Sequence, residues 1–529
     1  MTLFKNIYRI ETTRLQHWDY SSDGEYFVTI CTKNRKEYFG EIRNGIMGLN
    51  EMGNAATICW QNIPSHFPFP VKTRLIASLR GMDAFITKYD KISPKLTIKN
   101  MQVILLAAGQ STRLDPIEDK NFLEFAGKSL IEHRVAAIKK AKLRDIVVVG
   151  NKNNLDRLKR VLKKYNNVVV VEQKNLADGM AGGVLAGAAV VKHKNIMIVS
   201  TNDVFDDILF EKVLQAAKDS GDGLIVGKRS DKYFPGGYLI VDKKNNITGI
   251  IEKPGEGKEP SNMVNMVLHV YNDFQKFASI LNKTKGNADD RYERSLDLYI
   301  KKGKAKIKAF KYNGFWQPIK FPWHILKVME YYLDTVEPRI DKGAKVSKTA
   351  VINGNVYIGP YAKVLEHAVI QGPAYIGEGC IVANNALVRN SMLGKNCVVG
   401  FSTEVARSYL NHDVWMHTNY IGDSIIDHNV SFGAGTVLGN LRFDEETIKT
   451  YIKGKKEDTG LTKLGAVIGN GTRFGINSST NPGIKIGKNA FIGAGVMLDE
   501  DVADDRVVLL GQKWKVAVNK KKVDVKGRK

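Results

Sequence analysis

The 529-residue chain is poor in cysteine: Cys31, Cys59, Cys380 and Cys397 are all it has. None belongs to a Cys-x-x-Cys pair, and four thiols in this length make no disulfide framework, so a reducing compartment is expected. Long apolar runs are missing too. No stretch reaches the roughly 18 residues of a membrane span, and the first residues lack the apolar centre of a signal peptide. A cytoplasmic protein without a membrane partner is expected. Acidic residues are in deficit: 55 Asp and Glu stand against 79 Lys and Arg, a formal charge of +24. That charge is spread along the chain and denser only at Lys513–Lys529. No basic-and-aromatic motif accompanies it, so a solvated lysine-rich surface is favoured over a nucleic-acid footprint. The same charge suits phosphorylated substrates.

Changes of rhythm divide what is present. Residues 1–75 are polar and aromatic with short strand-like runs, and 76–100 read as a linker. From Met101 to about Thr335, apolar runs (MQVILLAA, DIVVVG, NVVVV, NIMIVS) alternate with helical stretches. That pattern predicts an α/β domain over 101–335, built on a parallel sheet with right-handed crossovers. Residues 336–512 then carry a six-residue beat. Small residues stand at Ala344, Ala350, Val356, Ala362, Ala368, Ala374, Cys380 and Ala386, each followed two positions later by an aliphatic, Val346 through Val388. Period six belongs to neither helix nor ordinary strand; it is the mark of a β-helix, three hexads to a coil. The aliphatic is expected inside, the small residue at the turn, and glycines such as Gly359, Gly377 and Gly394 at tight corners. Residues 406–422 break the beat. Residues 440–464 form a polar excursion, the kind of loop that carries a binding surface on a rigid solenoid. Residues 513–529 are a basic tail.

The stretch after the first apolar run, LLAAGQSTRLDPIEDKNFLEFAGKSLIEH, places a glycine turn between a strand and a helix, where backbone N–H groups can meet phosphate. Arg113 and Lys120 add cations that suit a triphosphate. These residues resemble the signature of sugar-1-phosphate nucleotidyltransferases: Ala107, Ala108, Gly109, Thr112, Arg113, Pro116, Lys120, Gly127, Lys128, Ile131, Glu132 and His133 match it. Ser111 replaces the usual second glycine and Asp119 a proline. The resemblance covers about 101–335 and implies a Rossmann-like domain. It also implies roles: Ala107, Ala108, Gly109, Gln173 and Gly179 on the nucleotide (UTP or dTTP), Arg113 and Lys120 in catalysis, and Asp203 on Mg²⁺. Gly237, Glu252, Lys253 and Asn265 are implied on the sugar phosphate. One departure stands out. In FWQPIKFPW, Pro318 occupies the place of a second metal-binding Asp and Lys320 that of a glycine. Asp289 or Asp290 could supply the ligand, Lys320 could replace part of the metal's charge, or catalysis could be impaired.

The hexad region resembles the left-handed parallel β-helix of acetyltransferase domains fused to N-acetylglucosamine-1-phosphate uridyltransferases. In MHTNYIGDSIIDHNVSFGAGTVLGN, His417, Tyr420, Gly422, Asp423 and Asn440 match. The likeness implies acetyl-CoA as co-substrate, His417 as general base, Tyr420 and Asn440 on the amino sugar, and a homotrimer with acyl sites between subunits. A β-helix serving only as a trimeric scaffold, beside a degenerate transferase site, is the alternative. Residues 9–70 resemble the start of REP-associated tyrosine transposases, as a small α+β fragment. No His-x-His metal pair occurs in the chain, so a truncated remnant is expected, and a DNA-binding role is the third reading.

Overall fold

The computed structural model describes residues 101–286, 290–511 and 516–519, and, before them, the backbone of 40–43 and 46–49. Gly40–Arg43 and Ile46–Leu49 form an antiparallel hairpin. The rest of the transposase likeness, Cys31, Cys59, Asp289 and most of the basic tail lie outside the described residues.

From Met101 the chain lays down four parallel strands in the spatial order Val168–Glu172, Asp145–Gly150, Met101–Leu106, Asn195–Ser200. The Val- and Ile-rich centres of the last three are fully buried, as expected for strands covered on both faces by helices, whereas the edge strand Val168–Glu172 leaves Val169 exposed. Leu130–Lys140 starts on a capping box: Ser129 N donates to the Glu132 carboxylate at 2.9 Å. Antiparallel strands extend the sheet beyond Asn195–Ser200, first Met263–Tyr271, then Gly237–Val241 and Ile247–Glu252. The first strand sits in the middle and the chain order reverses around it. The open ends of Met101–Leu106 and Asn195–Ser200 therefore form the crevice where such sheets take ligands.

From Arg339 the hexads wind into a β-helix with three parallel sheets along its length. Lys345 pairs with Lys363, and Lys363 with Ile381, a step of eighteen residues. The aliphatics and the small residues share one interior: Ala362, Ala368, Ala374, Cys380 and Ala386 are as buried as Val364, Ile370 and Ile376. Cys380 and Cys397 are free thiols inside it. The corner glycines are needed for space rather than for unusual dihedrals. A Cβ on Gly377 would stand 2.4 Å from the carbonyl oxygen of Gly394 in the next coil. Left-handed corner positions go to asparagines such as Asn385, Asn396, Asn429, Asn477 and Asn489 and to other glycines such as Gly379, Gly435 and Gly471, asparagine being among the side chains that tolerate that region best.

Two expectations are revised. The beat does not stop at 406–422; the coil shortens. Tyr375 pairs with Met392 seventeen residues on, Tyr409 with Ile425 sixteen on, and Trp415 bridges Val398 and Ser431. The ladder continues while the corners contract. The excursion after Asn440 folds into a hairpin, Lys449–Ile452 against Lys455–Asp458. Its apolar side, Ile448 and Ile452, packs into one cluster with Ile325, Val328 and Met329 of helix His324–Thr335. It is mainly a brace between the two halves. Its other side faces outward, with Tyr451 half exposed, and Phe443 in the arm before it is fully exposed.

Candidate active sites

The first site gathers at the crevice. Ala107 and Ala108 follow the first strand directly, buried, and Gly109 comes next in the loop. Buried asparagines fix that loop from below. Asn121 Nδ2 and Asn154 Nδ2 both donate to Ala107 O at 2.9 Å, and Asn151 Nδ2 donates to Ala108 O at 2.9 Å. Asp119 joins this net by accepting from Asn154 Nδ2 at 2.7 Å and from Asn121 N at 2.9 Å. Ser111, where the resemblance expects glycine, adopts φ of 56°. Its hydroxyl repays the strain by accepting from Lys120 N at 3.3 Å.

Lys120 heads a short 3₁₀ turn and lies over the glycine: a Cβ on Gly109 would be 3.7 Å from its Nζ. Burial pulls this ammonium down to about 8, while Asp119 and Asp203 hold it up. Arg113 is exposed on the loop. Asp203 lies just beyond the neighbouring strand, and Trp316 Nε1 donates to its Oδ1 at 3.1 Å. Burial raises the Asp203 carboxyl above its usual range. Arg134 also belongs to this arrangement and sequence reasoning missed it. Fully inside, it donates to the backbone carbonyl of Asp203 and stacks 4.0 Å from the Phe205 ring. Its only signal was a charge on the apolar face of a helix. Glu132 and His133, by contrast, are structural: one completes the cap, and the other bonds Phe125 O at 2.7 Å.

Gln173 is buried at the end of its strand, its Nε2 donating to Asn175 O at 3.1 Å and Gly179 O at 2.8 Å. Gly237, Glu252 and Asn265 come together on adjacent antiparallel strands: a Cβ on Gly237 would lie 3.1 Å from Glu252 Oε2 and 3.4 Å from Asn265 Cβ. Lys253 Nζ stands 3.7 Å from Glu252 Oε1. His269 Nε2 meets Asn265 Oδ1 at 2.9 Å and its Nδ1 meets the Tyr292 hydroxyl at 2.7 Å, which locks the Asn265 side chain. Pro318 is paired directly opposite Asp203. Asp290 leads helix Arg291–Lys301 and is held 3.8 Å from Arg294.

The second site lies on the β-helix. Trp415 belongs to one of its sheets and Tyr420–Gly422 to the next, so His417 occupies the corner between them. Its backbone is tied down: His417 N donates to Asn419 Oδ1 at 2.7 Å, and its carbonyl accepts from Thr403 Oγ1 at 2.6 Å. The ring is exposed in a cavity of about 240 Å³ lined by Val398, Phe401, Trp415 and Met416. Around the corner Asn440 Nδ2 donates to the Tyr420 hydroxyl at 3.1 Å and to Asp423 Oδ2 at 2.5 Å. Arg407 grips Asp423 with two bonds of 2.6 Å. Arg407 was not foreseen, because it falls in the stretch where the hexad beat contracts.

A doubly wound sheet with a cationic glycine loop, running into a coil of hexads, defines a nucleotidyltransferase joined to a hexapeptide-repeat domain. Comparison with known families agrees. The nucleotidyl transferase family matches residues 102–323, the GMPPB C-terminal domain 336–442, and the bacterial transferase hexapeptide repeat 465–499. A bifunctional sugar-1-phosphate nucleotidylyltransferase/acetyltransferase from Sulfurisphaera tokodaii is 32% identical, over 76% of this chain and 98% of its own length. The bifunctional protein GlmU of Methanocaldococcus jannaschii is 33% identical over 77% and 97%. A mannose-1-phosphate guanyltransferase from Aspergillus oryzae is 28% identical over 64% and 96%. The chain belongs to the family of bifunctional sugar-1-phosphate nucleotidylyltransferase/acetyltransferases.

Proposed function

We propose that the chain transfers a nucleotidyl group from UTP or dTTP to a sugar-1-phosphate. An oxygen of the sugar phosphate attacks the α-phosphorus. The new P–O bond forms as the bond to the bridging oxygen breaks, and pyrophosphate leaves with the electron pair. Such chemistry asks the protein mainly to position the groups and neutralise charge. The observation that carries the reading is the meeting of Gly109, Lys120 and Asp203 at the ends of two adjacent strands. Arg113 and the loop amides take the triphosphate, Lys120 the charge near the α-phosphate, and the Gly237–Glu252–Asn265 cluster with Lys253 the sugar phosphate. Both Gln173 N–H groups are engaged with backbone carbonyls, so a base meets its carbonyl oxygen. That suits a base with a ring N–H, as uracil, thymine and guanine have.

Asp203 is the candidate carboxylate for a Mg²⁺ ion carried by the triphosphate. Among the described residues no three His, Cys, Asp or Glu side chains converge, and the side chain opposite Asp203 is a proline. Pro318 offers no second carboxylate opposite Asp203. Arg113→Ala is expected to abolish pyrophosphate release while the melting temperature stays within about 2 °C; retained turnover would remove Arg113 from this role.

For the β-helix we propose acetyl transfer from acetyl-CoA to an amino-sugar phosphate. The amine attacks the thioester carbonyl, the C–N bond forms and the C–S bond breaks. His417 takes the amine proton and returns it to the departing sulfur, a task suited to imidazole at neutral pH. Tyr420 and Asn440 hold the sugar. Phe401 and Trp415 stay 56% and 60% exposed beside His417, which supports a homotrimer whose neighbouring subunit completes the site. A cytoplasmic setting goes with these substrates, and among the described residues no helix is long and apolar enough to cross a membrane. The two activities are assigned to domains of residues 101–335 and 336–512.

A further inference from the structure

The crevice holds a cation that the nucleotidyl-transfer scheme has not used. Lys320 follows the short strand Trp316–Pro318, in which Pro318 faces Asp203. Its Nζ donates to Pro235 O at 2.7 Å and sits 3.7 Å above the Phe234 ring. A Cβ on Gly236 would be 3.9 Å from it. The ammonium is thus clamped against the segment that leads into Gly237, at the edge of the sugar-phosphate cluster. It feels charge from both sides of the crevice: Asp203 and Arg113 on the triphosphate side, Glu252 and Lys253 on the sugar side. It makes no ion pair among the described residues, and burial pulls it down to about 8. A half-buried, desolvated cation with no ion pair among the described residues is costly to the free protein and favours an anion arriving beside it.

We propose that Lys320 is a fixed cation for the phosphate of the sugar-1-phosphate, standing in for charge that a second carboxylate-bound metal would bring. Pro318 and Lys320 then form one adaptation: the position that would hold the metal carries no ligand, and two residues on an ammonium supplies positive charge from the protein itself. The inference rests on the nucleotidyl-transfer reading, since it needs a sugar phosphate in this cluster.

The consequence is binding without free metal. The full chain should be titrated calorimetrically, in EDTA with saturating UTP or dTTP, against glucose-1-phosphate, mannose-1-phosphate, glucosamine-1-phosphate and N-acetylglucosamine-1-phosphate. EDTA prevents turnover, so binding alone is read. The parent is expected to bind at least one of them. Lys320→Met should weaken that binding at least tenfold, while Lys320→Arg stays within threefold and nucleotide affinity changes less than threefold. If Lys320→Met lowers the melting temperature, Lys320→Gln, which keeps a donor for Pro235 O, carries the same test. Unchanged binding in the folded neutral variants overturns the proposal. So does parent binding that appears only when Mg²⁺ is restored. Failure of the parent to bind any of the four, with either nucleotide and with or without Mg²⁺, overturns the nucleotidyl-transfer reading itself.

Discussion

Single side chains set the chemistry of the crevice. Lys120 is placed by the bond of its own amide to Ser111, and its ammonium rests over Gly109. Removing one preorganised charge from a developing transition state costs about 10²–10³ in rate. Lys120→Ala is expected to lower kcat for pyrophosphate release by that order, and a loss under fivefold in single-turnover kinetics would contradict it. A second residue gives a pH signature. Burial, and then the neighbouring Glu252, push Glu293 up to about 8, from 4.5 for a free side chain, with Lys253 opposing and Asp290 adding to the shift. The folded chain therefore keeps a proton that the unfolded chain loses. Stability from this group is full below about 4.5 and is lost as pH rises through about 8. Glu293→Gln is expected to match the parent in urea denaturation at pH 4.5 and to exceed it at pH 8. Equal midpoints at pH 8 would show that Glu293 ionises normally.

Elements carry the next set of consequences. The hairpin Lys449–Ile452/Lys455–Asp458 interrupts the coil yet buries Ile448 to 1% exposure against the helix His324–Thr335. Ile448→Ala is expected to cost roughly 2–5 kcal/mol, seen as a lower thermal midpoint; a shift under about 1 °C would mean that the brace contributes little. Gly377→Ala puts a methyl group 2.4 Å from a backbone carbonyl and is expected to cost about 1–3 kcal/mol. These elements also show what could be read from sequence. The hexads and the buried strands were legible because each repeats a period that burial imposes. The placing of the glycine loop between strand and helix was legible because glycine, arginine and lysine fall at fixed offsets after a strand. Arg134 was not, since its contact with Asp203 is 69 residues away in the chain, and Arg407 was not, since it falls where the beat contracts. The sixteen- and seventeen-residue coils looked like a break because shortened corners leave the pairing intact while moving every later residue out of phase. The hairpin read as a loop because its apolar side, Ile448 and Ile452, is short and set among lysines.

At the scale of the molecule, the two halves share structure. The Tyr409 hydroxyl accepts from Glu124 N at 3.1 Å and donates to Glu124 O at 3.0 Å, and His412 Nε2 faces the Glu124 carboxylate at 3.3 Å. Core residues from both halves lie in one cluster with the hairpin. The two proposed chemistries are separate, because Gly109 and His417 stand on different scaffolds. His417→Ala is expected to abolish acetyl transfer and leave pyrophosphate release within twofold; joint loss in a folded variant would contradict two independent sites. The central claim is nucleotidyl transfer at the crevice, and pyrophosphate release tests it most directly. The full chain should be supplied with Mg²⁺, with each of UTP, dTTP, GTP, ATP and CTP, and with a panel of sugar-1-phosphates. The account predicts release with UTP or dTTP and at least one sugar-1-phosphate, abolished by Arg113→Ala. No release with any pair from the folded parent would contradict it.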